Sequence, residues 1–415
     1  MRKPIIAAIG TLDTKGAEIA YARRRIEDLG GEVVVIDTGI LGEPGCFADV
    51  TREEVARAGG HELDEVRDAG SRGAAVELMQ GGLRRIVTDM HERGEIDGAL
   101  CLGGAEGALI GAAAMQELPV GVPKLIVSPS ASGPRAFAPF VGSRDVTVMH
   151  SVIDILGINP ISTAVFDNAV AAVIGMARDA GRPVSDLGER SVGVTMLGQT
   201  TPGAMAAYEV LEEAGWAPVI FHANGVGGPA MEDLIETSAL AGVIELSVSE
   251  LANSLFGGVH ATGERRLTVA AEHGLPQVIT PGCADFFNQG ALDTVPERWR
   301  DRKLYKHNPV ATLVRLSRDD MVALGRLIAG RLAGAKGPVA IVAPTRGYSL
   351  IDVEGGPLWD HEADMALIET LEGELADQVP VERVDMAVND PEFGRLVARR
   401  FIELAATPAL EGRRP

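Results

Sequence analysis

The chain has 415 residues, 46% of them hydrophobic, 4% aromatic, 50 glycines and a formal net charge of -20 at pH 7. That length is too great for one ordinary core and points to two domains, and the negative field repels nucleic-acid phosphates and anionic membrane surfaces, so neither is an expected partner. No apolar stretch is read as approaching the roughly 18 residues that cross a bilayer, and the three scattered cysteines, Cys46, Cys101 and Cys283, predict no disulfide framework and a reducing, cytoplasmic location.

The first residues, MRKPIIAAIG, are basic and then apolar, but Gly-Thr-Leu-Asp follows where a signal peptide would stay apolar. Pro4 to Ile9 therefore reads as a first strand. Ile19, Ala22, Ile26 and Leu29 recur at helical spacing up to Gly30-Gly31, and Glu32 to Ile36 is a β-branched second strand. Both strands are too apolar to leave one face in water, which predicts a parallel sheet covered on both sides. Gly98 to Leu102 and Pro123 to Val127 are further strands, separated by helical stretches near Ser71 to Arg93 and Gly107 to Glu117.

Around residues 178–190 the text turns polar and rich in turn formers, RDAGRPVSDLGER, which places a boundary there and gives domains 1–185 and 186–415. The second half repeats the alternation, with strands at Ser191 to Leu197, Pro218 to Phe221, Gly242 to Leu246, Pro276 to Thr280, Pro338 to Ala343 and Val381 to Asp385. The predicted architecture is α/β, two Rossmann-like subdomains with mainly parallel sheets and a ligand cleft between them. Strand order is not legible at this level.

Ligands of open parallel sheets bind outside the carboxyl ends of the strands, so the residues at those exits are the candidate chemistry. After the first strand come Thr11, Asp13, Thr14 and Lys15; after the second, Asp37; after the third, Gly103-Gly104-Ala105-Glu106-Gly107; after the fourth, Ser128 to Gly133, including Ser130. Glycines between a strand and a helix let amide groups approach a phosphate at the positive end of the helix dipole, or simply allow a tight turn. Lys15 can meet a phosphate and Asp13 a sugar hydroxyl or a metal, with helix capping as the alternative for this exit. Asp37 stands where dinucleotide folds hold a ribose, or forms a turn. The exit is not a Walker loop, because Thr14 precedes Lys15 and Gly16 follows it.

In the second half, Thr200 and Thr201 open a helix, His222, Asn224 and Gly225 follow a strand, and Asp285, His307 and Arg346 lie in later connections. If these loops share one sheet edge, His222, His307 and Asp285 can perform acid–base work on a small anionic metabolite held by Thr200, Thr201, Asn224, Gly225 and Arg346. Each histidine has a structural reading as well. His361-Glu362-Ala363-Asp364 reads as a polar helix start and not as a metal site, and Cys283 as a small buried residue.

GTLDTKGAE at 10–18, Leu102-Gly103-Gly104 through Gly107, DVTVMHSVID at 145–154, GQTTPGA at 198–204, FHANGVGGPAME at 221–232 and HNP at 307–309 together resemble a family of largely uncharacterised bacterial and fungal proteins. That family is similar to the ATP-binding N-terminal region of the plant tobamovirus-resistance protein. The resemblance implies two Rossmann-like subdomains, ATP in the first, with Mg²⁺ as an optional companion, and self-association into a homo-oligomer. It settles no reaction. The chain departs from the family pattern at Ser132-Gly133-Pro134, Ser247-Val248-Ser249 and His260-Ala261-Thr262-Gly263. The resulting expectation is a cytosolic ATP-binding protein with an enzymatic second site, a hydrolase, lyase or ligase; the alternative is a non-catalytic module regulated by nucleotide.

Overall fold

A computed structural model describes residues 2–131, 138–179, 187–376 and 378–406. They fall into two compact units, Met1–Ser185 and Asp186–Pro415.

The first unit runs β1 (Ile5–Gly10), α1 (Leu12–Asp28), β2 (Glu32–Asp37), α2 (Arg52–Ala58), α3 (Leu63–Arg67), α4 (Arg72–Glu92), β3 (Gly98–Leu102), α5 (Ala105–Met115), β4 (Lys124–Ser128), α6 (Ala138–Val141), β5 (Thr147–His150) and α7 (Pro160–Asp179). Its five strands are all parallel, in the order β2-β1-β3-β4-β5. The period of two explains their composition. Ala7, Ile9, Ile36, Ala99, Cys101 and Ile126 face one core, shared with α4 and α5. Their neighbours Ile6, Ala8, Val35, Leu100, Leu125 and Val127 face a second core, shared with α1 and α7. Both faces of the central strands β1, β3 and β4 are covered, so they show no alternation of exposed polar and buried apolar positions.

Helix α7 corrects one expectation, since it is long and apolar enough by length and composition to cross a membrane. In the structure Phe166, Ala169, Val170, Val173 and Ile174 pack into the second core, and Asp167 accepts hydrogen bonds from Tyr21 at 2.8 Å and Arg25 at 2.7 Å.

The second unit runs β6 (Ser191–Met196), α8 (Thr201–Glu213), β7 (Ala217–His222), α9 (Gly227–Glu236), β8 (Gly242–Glu245), α10 (Ser249–Phe256), α11 (Thr268–Glu272), β9 (Gln277–Ile279), β10 (Phe286–Gln289), β11 (Leu304–Asn308), β12 (Ala311–Arg315), α12 (Arg318–Leu332), β13 (Val339–Pro344), α13 (His361–Leu375), β14 (Val381–Val384) and α14 (Pro391–Ala405). Six strands form a parallel sheet in the order β14-β13-β9-β8-β6-β7. A separate three-stranded antiparallel sheet, β10-β12-β11, is the departure from the expected alternation. Helices α8 and α14 cross where Gly203 and Gly394 meet. A Cβ at Gly394 would lie 2.2 Å from the Gly203 carbonyl, so the close approach requires glycine.

Candidate functional site

The strand order of the first unit reverses between β1 and β3, and the exits of those two strands frame the crevice at which open α/β sheets bind ligands. A cavity of about 710 Å³ opens there. The beginnings of three helices line it: Thr11, Asp13, Thr14 and Lys15 of α1, Ser71 and Arg72 of α4, and Gly104, Glu106 and Gly107 of α5. Ile40, Leu41, Ala75, Val76 and Ile110 supply an apolar wall.

The three helix starts are not equivalent. Ser71 caps α4 by accepting from the Ala74 amide at 3.1 Å. The first amide of α1, that of Leu12, donates to Asp37 at 3.0 Å. Helix α5 begins at Gly104, which has no side chain to cap it, so its first-turn amides receive no side-chain acceptor and keep their partial positive charge. Lys15 is half-buried on the cavity wall, and among the described residues it is the lining cation without an ion pair. Arg67 is held by the Ile40 carbonyl at 2.8 Å and Asp64 at 2.9 Å, and Arg72 by Glu106 at 3.1 Å.

This arrangement changes the reading of several residues. Asp37 is buried, does not line the cavity and accepts from Leu12 and from Gly39 at 2.8 Å; it fastens the start of α1 to the turn after β2 and has no exposed oxygen for a ribose. Burial pushes its carboxyl up. Asp13 uses Oδ2 to hold the 41–42 turn, accepting from Leu41 at 3.1 Å and Gly42 at 3.2 Å, which leaves only Oδ1 without a partner. Gly103 is a packing position, because a Cβ there would sit 2.5 Å from the Ala108 amide nitrogen; a Cβ at Gly104 meets nothing within 4 Å. Gly16 admits the 42–45 loop, with a Cβ falling 2.6 Å from Gly45 Cα. Ser130 is buried at the β4 exit and does not line the cavity, and Ser132 and Gly133 lie outside the described residues. Thr14 is fixed by its hydroxyl, 2.8 Å from that of Thr11. Arg67 and Arg72 were not singled out from the sequence; the serine that caps α4 is the one local signal near them.

At the carboxyl edge of the large sheet in the second unit, the expected polar residues are present but mostly covered. Asp285 is fully buried, accepts from Ser349 at 2.9 Å, and is pushed up to about 8 by burial and by Asp352 beside it. A carboxyl with no exposed atom cannot touch a substrate, so the catalytic role expected for it is corrected. Thr200 is likewise buried, its hydroxyl accepting from the Leu197 amide and donating to the Leu197 carbonyl, both at 3.1 Å, and has nothing exposed for a substrate. Thr201 donates to the Gly198 carbonyl at 3.2 Å. His307 is exposed on β11 of the small antiparallel sheet and not in a loop of the parallel one. His222 is exposed at the end of β7, and burial, with the neighbouring His222 as a lesser cause, holds His260 below the usual imidazole range. Asn224 is half-buried and donates through its amide to the His222 carbonyl at 2.8 Å; Gly225, at φ 95°, donates to Glu250 at 2.8 Å. Arg346 is exposed and paired with Asp385. Cys283 is buried, which pushes its thiol well up. Among the described residues no group of three or more His, Cys, Asp or Glu side chains is placed to hold a metal ion.

Residues 4–182 match the model of the N-terminal domain of the uncharacterised protein family UPF0261, and residues 189–405 match that of its C-terminal domain. A UPF0261 protein of Clostridium tetani is 39% identical over 97% of this chain and 99% of its own length. The ToMV resistance protein Tm-1(GCR237) of Solanum lycopersicum is 31% identical over 97% of this chain, which spans 56% of that protein. Among solved structures, a putative hydrolase of the alpha/beta superfamily from Xanthomonas campestris pv. campestris overlaps 43% of this chain and 95% of its own, at 17% identity and a TM-score of 0.22. With both domain models matched in order over nearly the whole chain, this protein belongs to the UPF0261 family.

Proposed function

We propose that the first unit binds a nucleotide, ATP, with its phosphates at the start of α5 and its base against the apolar wall. The observation that carries this reading is the uncapped α5 terminus at Gly104 in one cavity with the unpaired Lys15: both attract an anion, in a chain whose overall charge repels one. The volume, about 710 Å³, lies within the range of small-molecule sites. Magnesium bound with a nucleotide uses one or two carboxylates plus phosphate oxygens, and the lining carboxylate that suits it is that of Glu106, since Oδ1 of Asp13 is buried and its Oδ2 holds the 41–42 turn.

Calorimetry with ATP and Mg²⁺ on the full chain is the test. Lys15→Ala removes one charge-assisted contact and weakens binding about tenfold, equivalent to roughly 1.4 kcal/mol. Gly104→Asp places a carboxylate at the amides themselves and weakens it further, while the open space around Gly104 leaves the fold intact. Unchanged affinity in both variants would sink the assignment. Binding without turnover is the second reading, favoured by the burial of Asp285, one of the three expected catalytic groups, and of Thr200, one of the expected substrate contacts. Release of phosphate from bound ATP at a steady rate would count against it.

A further inference from the structure

The second unit carries a cavity of its own, about 910 Å³, at the exits of β13 and β14. Thr345 and Arg346 follow β13, Asp385 follows β14, and the lining is completed by the 353–359 loop, by His361 and Met365 of α13 and by Ala387. That loop has no regular secondary structure, yet its backbone is held from beneath. Buried Arg315 donates to the Leu358 carbonyl at 2.8 Å and to the Asp360 carbonyl at 3.1 Å, Tyr348 donates through its amide to Asp352 at 3.0 Å, and Lys303 donates to the Trp359 carbonyl at 2.6 Å. Gly347, at φ 120°, lets the loop close on itself, since a Cβ there would overlap the Asp352 carbonyl. A surface loop fastened by a buried guanidinium presents its side chains in fixed positions, the condition for a pre-formed site.

The presented side chains narrow the ligand. Trp359 and His361 stack, with ring centroids 5.5 Å apart and planes 26° from parallel, and both line the cavity. In the same lining, Arg346 and Asp385 form a two-pronged pair, Nε to Oδ1 at 2.6 Å and Nη2 to Oδ2 at 2.8 Å. The guanidinium is already neutralised, and Glu354 adds a further negative charge near it, so an anion has no unopposed cation to meet. A cation would gain only the single surplus carboxylate of Glu354. The pair does offer, side by side, guanidinium N–H donors left over from the ion pair and carboxylate lone pairs. Adjacent ring hydroxyls require that combination, each hydroxyl donating to the acid and accepting from the base, while the apolar face of a sugar ring packs on an aromatic one.

We propose that this cavity binds the ring of a neutral sugar, its vicinal diol on Arg346 and Asp385 and its apolar face on the Trp359–His361 pair. All of its lining residues belong to the second unit.

The test is saturation-transfer NMR and calorimetry of the full chain with methyl α-D-glucopyranoside and methyl α-D-mannopyranoside, with glycerol as a diol that lacks a ring. Saturable binding of at least one glycoside is expected, glycerol competing at least tenfold more weakly. Trp359→Ala and Asp385→Asn each weaken the glycoside tenfold or more with ATP affinity unchanged. Arg346→Ala, a substitution of an exposed side chain, does the same without altering the melting temperature, which separates lost recognition from lost folding. The proposal is overturned if neither glycoside binds, if glycerol competes as well as the ring sugars, or if the three variants bind as the wild type does.

Discussion

The carboxyl edges of the two parallel sheets begin from similar residues, glycines, hydroxyls and acids, and differ at their centres. In the first unit the edge between β1 and β3 opens into a cavity, and its lining acids are few. In the second unit the centre of the edge is closed over by two buried guanidinium groups, each facing three carboxyls. Arg266 pairs with Glu245, with Glu250 at 2.6 Å and with Glu232 at 3.8 Å. Arg315 pairs with Asp364 and, at 3.8 Å, with Asp352, with Asp285 raising its pKa from close by. One positive charge cannot balance three negative ones away from water, so protons stay bound: Glu232 is pushed up to about 7 and Asp285 to about 8. The lesson is that polar residues at strand exits mark either an open site or a buried framework, and carboxyls gathered around a buried arginine belong to the framework even where, as beside Arg315, a cavity opens next to them.

The contrast is broken most forcefully by removing an arginine. Arg266→Met leaves Glu232, Glu245 and Glu250 buried without their ion-pair partner, and a loss of about 3–5 kcal/mol is expected, read from urea unfolding against wild type. An unaffected midpoint would mean that the cluster is not a closed framework.

A weaker and more specific probe is pH. Because the folded state holds the Glu232 proton up to about 7 while an unfolded glutamate releases it near 4.5, the folded chain binds more protons across that window. Stability therefore falls as pH rises from about 4.5 to 7, with a contribution from this group of order 3 kcal/mol. Glu232→Gln removes that slope and gains on wild type as pH rises. Denaturation midpoints at pH 5 and pH 8 that differ equally in both proteins would contradict it; the open cavity of the first unit predicts no such term for the Gly104 variants.

The smallest effect separates two adjacent glycines. Gly103→Ala forces a Cβ against the α5 backbone and is expected to cost about 1–3 kcal/mol, whereas Gly104→Ala, at φ -63° in open space, stays within about 1 kcal/mol. Thermal melting of the pair distinguishes a packing glycine from a rim glycine, and equal losses would erase the distinction.

Much of the fold was legible because parallel strands covered on both sides have no polar face to disguise them. Pro4 to Ile9, Gly98 to Leu102 and Ser191 to Leu197 read as strands from composition alone and match β1, β3 and β6 to within one residue at each end. Strand β5, Thr147–His150, did not, since its residues are exposed or half-buried and carry no core signature. The sheet of β10, β11 and β12 was missed because Phe286–Gln289, Leu304–Asn308 and Ala311–Arg315 are short and stand outside the strand–helix alternation. In the candidate site, Thr11, Thr14, Lys15, Gly104 and Gly107 were legible as strand-exit chemistry and do line one cavity. Arg67 and Arg72 were not, because they reach it from helices whose placement depends on packing far along the chain.

Local chemistry alone determined the alternation of strands and helices, the glycine turns and the pool of candidate polar groups, because hydrophobic period and turn preference act over a few residues. Tertiary structure decided which of those groups meet solvent. Asp37 and Asp13 belong to the same strand-exit chemistry, yet one is buried against a helix start and the other borders a cavity. The physical reason is that burial and charge balance are sums over neighbours brought from distant parts of the chain, and no short stretch contains them.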